Sequence, residues 1–307
     1  MMNRGALAAV GLAACAIAAT ALSAPAPARG IPERLGYPPG TRLLVVHADD
    51  LGMSHSVNRA TFEALEKRWV SSASILVPCP WFPEVARWAR AHPEADLGIH
   101  LGLNSEWTTM RWRPLSGAAA VPSLVDDDGY FPLVETTVAA KAKPADVERE
   151  LRAQVDRARA AGVALTHLDS HMGALFQSPA LLGVYRGLGA SYRLPLLLQR
   201  SGEGGTEDAL VDRVLALEPG VPASGWLEAY QKLLSPLPPG AYELIVHLAY
   251  DDEEMRGATS DHPDWGAGWR QNDFDLVKSA AFRDFLKASG FTLVRWRDLA
   301  RAGAPAP

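Results

Sequence analysis

The chain has almost no cysteine, two residues in 307, and that scarcity excludes more than its size suggests. Cys15 lies in a stretch that reads as removable, which would leave Cys79 without a partner and the mature protein without an intramolecular disulfide. Such a domain must rest on its apolar core, and 48% hydrophobic residues over this length supply one. There is no basic excess either. Thirty Lys and Arg stand against 35 Asp and Glu, for a net charge of −5 with no basic block or stripe, which argues against nucleic acid as a partner. A charged fraction of only 21% argues against disorder. No G-x-G-x-x-G follows a strand, no internal repeat stands out, and no Gly/Ser linker interrupts residues 37 to 302.

The one long uncharged run is at the start. Met1 to Arg4 is short and basic, Ala6 to Leu22 is rich in Ala, Leu and Val, and Pro25 to Arg29 is linker-like. Residues 1–30 therefore read as a secretory signal and linker, too short and alanine-rich for a membrane anchor. Ala21-Leu22-Ser23 offers small residues for cleavage. Leu12-Ala13-Ala14-Cys15 gives the alternative, a lipoprotein anchored through Cys15, but its leading apolar run is short. The expectation is a periplasmic or secreted protein with no integral membrane span, forming one domain over residues 31–307.

What is present is a series of apolar strands that end in titratable residues. Arg42 to Gly52 runs from Leu43-Leu44-Val45-Val46 into His47, Asp49 and Asp50, as a buried parallel strand would. Ser54 stands where a cap for the next helix belongs, which frees the aspartates from that task. Further strands are expected over 70–77, 96–104, 163–171, 192–198, 242–248 and 291–294. Helices are expected over 54–67, 82–91, 144–161, 179–188, 207–217, 224–234 and 272–289, with a last one after the final strand. Residues 105 to 143 lose periodicity, a length of loop that is usually functional or mobile. The alternation predicts an α/β fold, a (β/α) barrel, distorted or incomplete.

In a barrel, strand C-termini converge on one face. Four of them here carry His47/Asp49/Asp50, His100, Asp169/His171 and His247. Two imidazoles and a carboxylate suit one divalent metal ion such as Zn²⁺, or Mg²⁺ with water completing the shell. Of the adjacent pair Asp49 and Asp50, one can bind metal while the other takes a proton from the bound water, and His247 is available to protonate a leaving amine. His47 could be a further ligand or a support, and Asp169 could orient His171 or cap a turn. This is the equipment of an amide or ester hydrolase.

The order of motifs is specific. His47-Ala48-Asp49-Asp50-Leu51-Gly52, Gly98-Ile99-His100-Leu101-Gly102-Leu103-Asn104 and His167-Leu168-Asp169-Ser170-His171 resemble, in register, segments of the YdjC/ChbG carbohydrate deacetylase family. The resemblance spans about residues 41 to 300. It implies a barrel of the polysaccharide deacetylase type, a divalent metal and removal of N-acetyl groups from an amino-sugar glycan or glycolipid head group. It also implies Asp50, His100 and His171 as metal ligands and Asp49 as the base. Trp269-Arg270-Gln271-Asn272-Asp273 resembles a further family signature, in which Arg270 would orient a carboxylate or form a helix-start ion pair. The chain departs from the family pattern at Gly173, Leu175 and Leu248, where many members carry His, His and Pro. Trp107 and Trp112, with Arg111, Trp265 and Trp269, would wall a sugar site or pack their own loops. The rival expectations are a catalytically silent glycan-binding barrel and a metallo-phosphoesterase.

Overall fold

The computed structural model describes residues 30–200 and 209–303, so the export and lipidation expectations, which rest on residues 1–29, lie outside the described residues. A short helix α1 (Ile31–Arg34) precedes β1 (Arg42–Leu51), α2 (His55–Glu66), β2 (Ser72–Ile75), α3 (Phe82–Ala91) and β3 (Leu97–Leu101). A long excursion ends in α4 (Glu135–Lys141), followed by α5 (Pro144–Ala160), β4 (Leu165–Ser170), α6 (Pro179–Tyr192), β5 (Arg213–Leu215) and α7 (Trp226–Leu234). The chain then forms β6 (Gly240–Val246), α8 (Glu253–Ala258), α9 (Ala267–Lys278), α10 (Ala280–Ala288), β7 (Phe291–Leu293) and α11 (Trp296–Gly303). Ser54 caps α2 as its position suggests, its Oγ accepting from the Val57 N–H at 3.1 Å.

Every strand pairing is parallel, in the order β4-β3-β2-β1-β6-β5. β1 has a third partner because one of its edges is divided. β7 takes Arg42 to Leu44, and β2 takes the end from His47 onward. The outer strands β4 and β5 are joined by an irregular seam. Leu168 donates its N–H to the Pro195 carbonyl at 2.9 Å, Leu197 donates to Leu168 at 2.8 Å, and Arg200 donates to Val211 at 3.0 Å. The sheet thus curls into a distorted (β/α) barrel.

The seam occupies the place expected for a strand over 192–198. Tyr192 still belongs to α6, and Pro195 has no N–H for a ladder, so only single bridges form there. The helix expected over 207–217 is a correction: residues 213–215 form β5 beside β6, where pairing outweighs local helical preference. The helix expected over 272–289 is two helices, beginning earlier at Ala267. They are divided at Ser279, whose extended backbone breaks α9 and whose Oγ caps α10.

Alternation along β1 sorts the core. Leu44, Val46 and Ala48 belong to the large apolar cluster beneath the helices, while Leu43 and Val45 pack with Ile31, Ala241, Val294 and Trp296 in a second cluster. Trp296 opens α11, whose N-terminus is capped from far away. Asp96 accepts from the Trp296 N–H at 3.2 Å and the Arg297 N–H at 3.1 Å, and also from Ser72 Oγ at 2.9 Å. His47, His167 and Glu243 are all fully buried. Gly98 is required beside them, because a Cβ there would overlap the His167 imidazole.

Burial pushes the Glu243 carboxyl up to about 8, and neither of its oxygens has a hydrogen-bond partner among the described residues. The folded protein therefore holds a proton that the unfolded chain releases near pH 4.5, and stability falls as pH rises from there through about 8. Glu243→Gln should match the parent in melting temperature at pH 5 and exceed it at pH 9 by roughly 5 °C, a few kcal/mol in a chain of this size. Parallel melting curves for the two proteins across that range would contradict a buried, protonated Glu243.

A candidate metal centre and its cleft

Consecutive strand residues face opposite sides of a sheet. Asp49 and Asp50 escape that rule because the register of β1 against β2 shifts between Ala48 and Leu51. Within this bulge Asp50 has φ 66°, in the left-handed region that few non-glycine residues occupy. Gly52 follows at φ 104°, its N–H donating to Asn58 Oδ1 at 2.8 Å, and the chain enters α2. Both carboxylates consequently aim at His100 on β3. Asp50 Oδ1 lies 3.5 Å and Asp49 Oδ2 3.7 Å from its Nε2.

The two histidines are held by their far nitrogens. His100 Nδ1 pairs with Asp169 Oδ1 at 2.6 Å, and His171 Nε2 pairs with Glu106 Oε2 at 2.9 Å. Asp169 therefore orients His100, not His171. His171 directs Nδ1 toward Asp50 Oδ1, 3.5 Å away. It stands at the end of β4, where the chain doubles back through Met172 (φ 48°) and Gly173 (φ 64°). From α9, Arg270 Nη2 donates to Asp50 Oδ2 at 2.8 Å, so the carboxylate it orients is Asp50.

Burial would raise the Asp50 carboxyl, but Arg270 and His171 hold it well below the usual carboxylate range. Burial likewise opposes charge on His171, yet Glu106 and Asp50 lift it to about 10. Asp169 is held low against burial by His100 and His47. His247 goes the other way: burial pushes it down to about 4, leaving it neutral near pH 7.

Asp50 Oδ1 is buried with no hydrogen-bond partner among the described residues. It lies with one nitrogen each of His100 and His171 inside a group whose atoms are all within 4.8 Å of one another. An unpartnered carboxylate oxygen facing two imidazoles, each backed by a carboxylate, is a donor set that fits a divalent cation and leaves positions open toward the cleft. Two other groupings are close enough among the described residues, His47/His167/Asp169 and Asp49/His100/Asp169. The first is sealed in the barrel interior, with His47 and His167 both 0% exposed, and the second needs the Asp169 carboxylate already bonded to His100.

Around this centre, His47 Nε2 sits 3.3 Å from both Asp49 Oδ1 and Asp169 Oδ2, supporting the two aspartates from below. His247 Nε2 stands 4.0 Å from Asp49 Oδ2 with its ring 5.0 Å from Trp269. The cleft above has a volume of about 830 Å³. Trp265 and Trp107 are on its lining, but Trp107 is 2% exposed and offers no open face. Trp112 is a correction: it is buried off the cleft, edge-on to His171 at 5.9 Å, and cannot stack on a sugar. Arg111 is likewise spent on Asp126. Of the departures from the family pattern, Gly173 lines the cleft, while Leu175 and Leu248 are core residues with no exposure. Glu106 was not legible in the sequence, since it sits in an irregular loop without motif or period.

Glu106→Gln should leave the fold intact and lower divalent-metal affinity by about 10- to 100-fold, because His171 loses the carboxylate that fixes its ring. Titration calorimetry with Zn²⁺ would measure this, and unchanged affinity would remove Glu106 from the centre.

The chain matches the model of the family described as YdjC-like protein over residues 43–288. A carbohydrate deacetylase of Thermus thermophilus is 36% identical over 88% of this chain and 98% of its own length. One from Geobacillus stearothermophilus is 38% identical over 50% of this chain and 59% of its own length. A solved structure from Enterococcus faecalis, described as a cellobiose-phosphate cleavage protein, superposes with a TM-score of 0.69 at 25% identity, covering 85% of this chain and 99% of that one. The family match encloses His47, Asp49, Asp50, His100, Glu106, Asp169, His171, His247 and Arg270, the side chains that meet at the centre, and the chain belongs to the YdjC-like family.

Proposed function

We propose that this protein is a metal-dependent carbohydrate deacetylase that hydrolyses the N-acetyl amide of an amino sugar, and that its mature chain is exported. The observation that carries the reading is the meeting of Asp50, His100 and His171 at the floor of an open cleft, with a second carboxylate, Asp49, beside them. The names of the relatives support the substrate class. A divalent ion held by those three side chains would acidify water and polarise the acyl carbonyl.

The remaining work falls to the chain. Asp49 is the base. Its Oδ1 is engaged by Ser74 Oγ at 3.3 Å and faces His47, which leaves Oδ2 directed at the centre. His247 is neutral at rest, so it becomes an acid only after receiving a proton, and Asp49 Oδ2 at 4.0 Å is the nearest carboxylate to supply it. The imidazole then protonates the departing amine. Arg270 keeps Asp50 ionised and fixed, and Asp169 and Glu106 keep the two ligand rings aimed.

The test measures bound metal and acetate release together on a panel of N-acetylglucosamine oligosaccharides. Asp49→Asn should keep its metal and lose activity by about 10²- to 10⁴-fold, and His100→Ala should lose both. Phosphate release from sugar phosphates without acetate release would favour a phosphoesterase. Folded protein that binds sugar but neither metal nor turns over substrate would favour a silent glycan-binding barrel.

A further inference from the structure

Single exposed apolar side chains are ordinary on a folded surface, but a cluster of large ones marks a site of contact. Among the described residues eight are exposed, and five of these, Leu133, Val134, Met172, Phe176 and Trp265, line the one cleft above the metal centre. They are 38–45% exposed, whereas Asp49, Asp50, His100 and His171 at the floor are 2–5% exposed. The titratable cluster therefore forms the floor of the cleft and the apolar residues its open rim. It is a built surface as well. The Phe176 ring is braced edge-on by Tyr185 at 5.9 Å, and α4, which follows Val134, packs on the turn that carries Met172 and Phe176.

Charge narrows what can lie there. Besides the aspartates of the centre, the lining carries Glu106, Glu135 and Glu218, and its single Lys or Arg among the described residues is Arg270, whose Nη2 is bound to Asp50. Among the described residues the lining thus carries more carboxylates than cations, which disfavours further negative charge on a substrate at the rim. The leaving amine must meet His247; the Trp269 ring 5.0 Å behind it is buried, and Trp265, 5.0 Å from Trp269, is the ring that opens to the cleft on that side. In a 2-amino sugar the anomeric carbon is bonded to the carbon that bears nitrogen, so an aglycone there leaves the ring close to His247 and within the cleft that Trp265 lines.

Resting on the deacetylase reading above, we infer that the substrate is an uncharged amphiphile, an N-acetylated amino sugar whose aglycone is an alkyl or other lipid-like chain held by Leu133, Val134, Met172, Phe176 and Trp265. The acetyl group occupies the polar floor, and the aglycone occupies the rim. The acetyl methyl is short, so the apolar rim contributes to recognition only through the far end of the molecule.

The experiment uses metal-loaded protein and two series of soluble amides, all below their micelle concentrations. In one, N-acetylglucosaminides carry a methyl, butyl or octyl aglycone. In the other, glucosamine carries an acetyl, butyryl or octanoyl group on nitrogen. The value of kcat/KM should rise roughly twofold per aglycone methylene, less than full burial would give because the groove is open on one side. The octyl-to-methyl ratio should fall several-fold in Leu133→Ser/Phe176→Ser. A rise with N-acyl length in place of aglycone length would overturn the proposal, as would di-N-acetylchitobiose outperforming the octyl glycoside. If no substrate turns over, tryptophan fluorescence titration with the methyl and octyl glycosides gives an independent reading. Tighter octyl binding, lost in the double variant, would uphold the lipid-binding rim while the deacetylase reading fails, and equal binding would overturn the rim assignment itself.

Discussion

Two neighbouring carboxylates can serve one cleft only if the strand that carries them stops being a regular strand between them. In this protein the break is the bulge in β1 and the left-handed backbone of Asp50. Holding a non-glycine residue there costs about 1–2 kcal/mol, and the surroundings are arranged to offset it. Arg270 binds the displaced carboxylate, Gly52 takes the following tight turn, and Ser54 begins α2 immediately afterwards. Without the bulge, Asp49 and Asp50 would be split between the barrel interior and the helical layer, and Asp50, in phase with Leu44, Val46 and Ala48, would be lost to the ligand set.

The centre is a junction of strands as much as a site. His47 on β1 touches Asp49 and Asp169, Asp169 on β4 holds His100 on β3, and Asp50 faces both His100 and His171. Buried ionic contacts of this kind add little net stability, because desolvation consumes most of the attraction. What they fix is relative position. Three parallel strands that apolar packing alone would allow to slide are registered by carboxylate–imidazole links. The interior below them is polar for the same reason, with His167 neutral, pushed down to about 3 by burial, and Glu243 protonated near neutral pH.

The strand ends were the most legible part of the chain, since a run such as Leu43 to Val46 followed by two aspartates has few structural explanations. The glycine of Gly98-Ile99-His100 was visible as a motif, but its cause, the His167 ring occupying the space a Cβ would need, is a tertiary contact. Three kinds of information were out of reach. The bulge cannot be read from composition, because Asp50 is not a residue that announces a left-handed backbone. Glu106 acts through a loop with no period. The seam at 195–200 is held to its neighbours by scattered bonds that no local pattern encodes. The tryptophans misled in a simple way. Trp107 and Trp112, in the loop, are core, and Trp265 alone of those considered presents an open face at the rim.

The cap of α11 has a consequence for how the molecule is made. Asp96 accepts from a backbone N–H 200 positions later in the chain, and Ser72 on β2 shares the same carboxylate. Contacts of such separation form late, because the intervening loop must be closed first. During synthesis β1 to β6 emerge before the tryptophan that completes the second core cluster and before the amides and the Arg297 guanidinium that bind Asp96. The barrel is thus a container whose floor is fitted last, and until then its polar interior stands open to water from below.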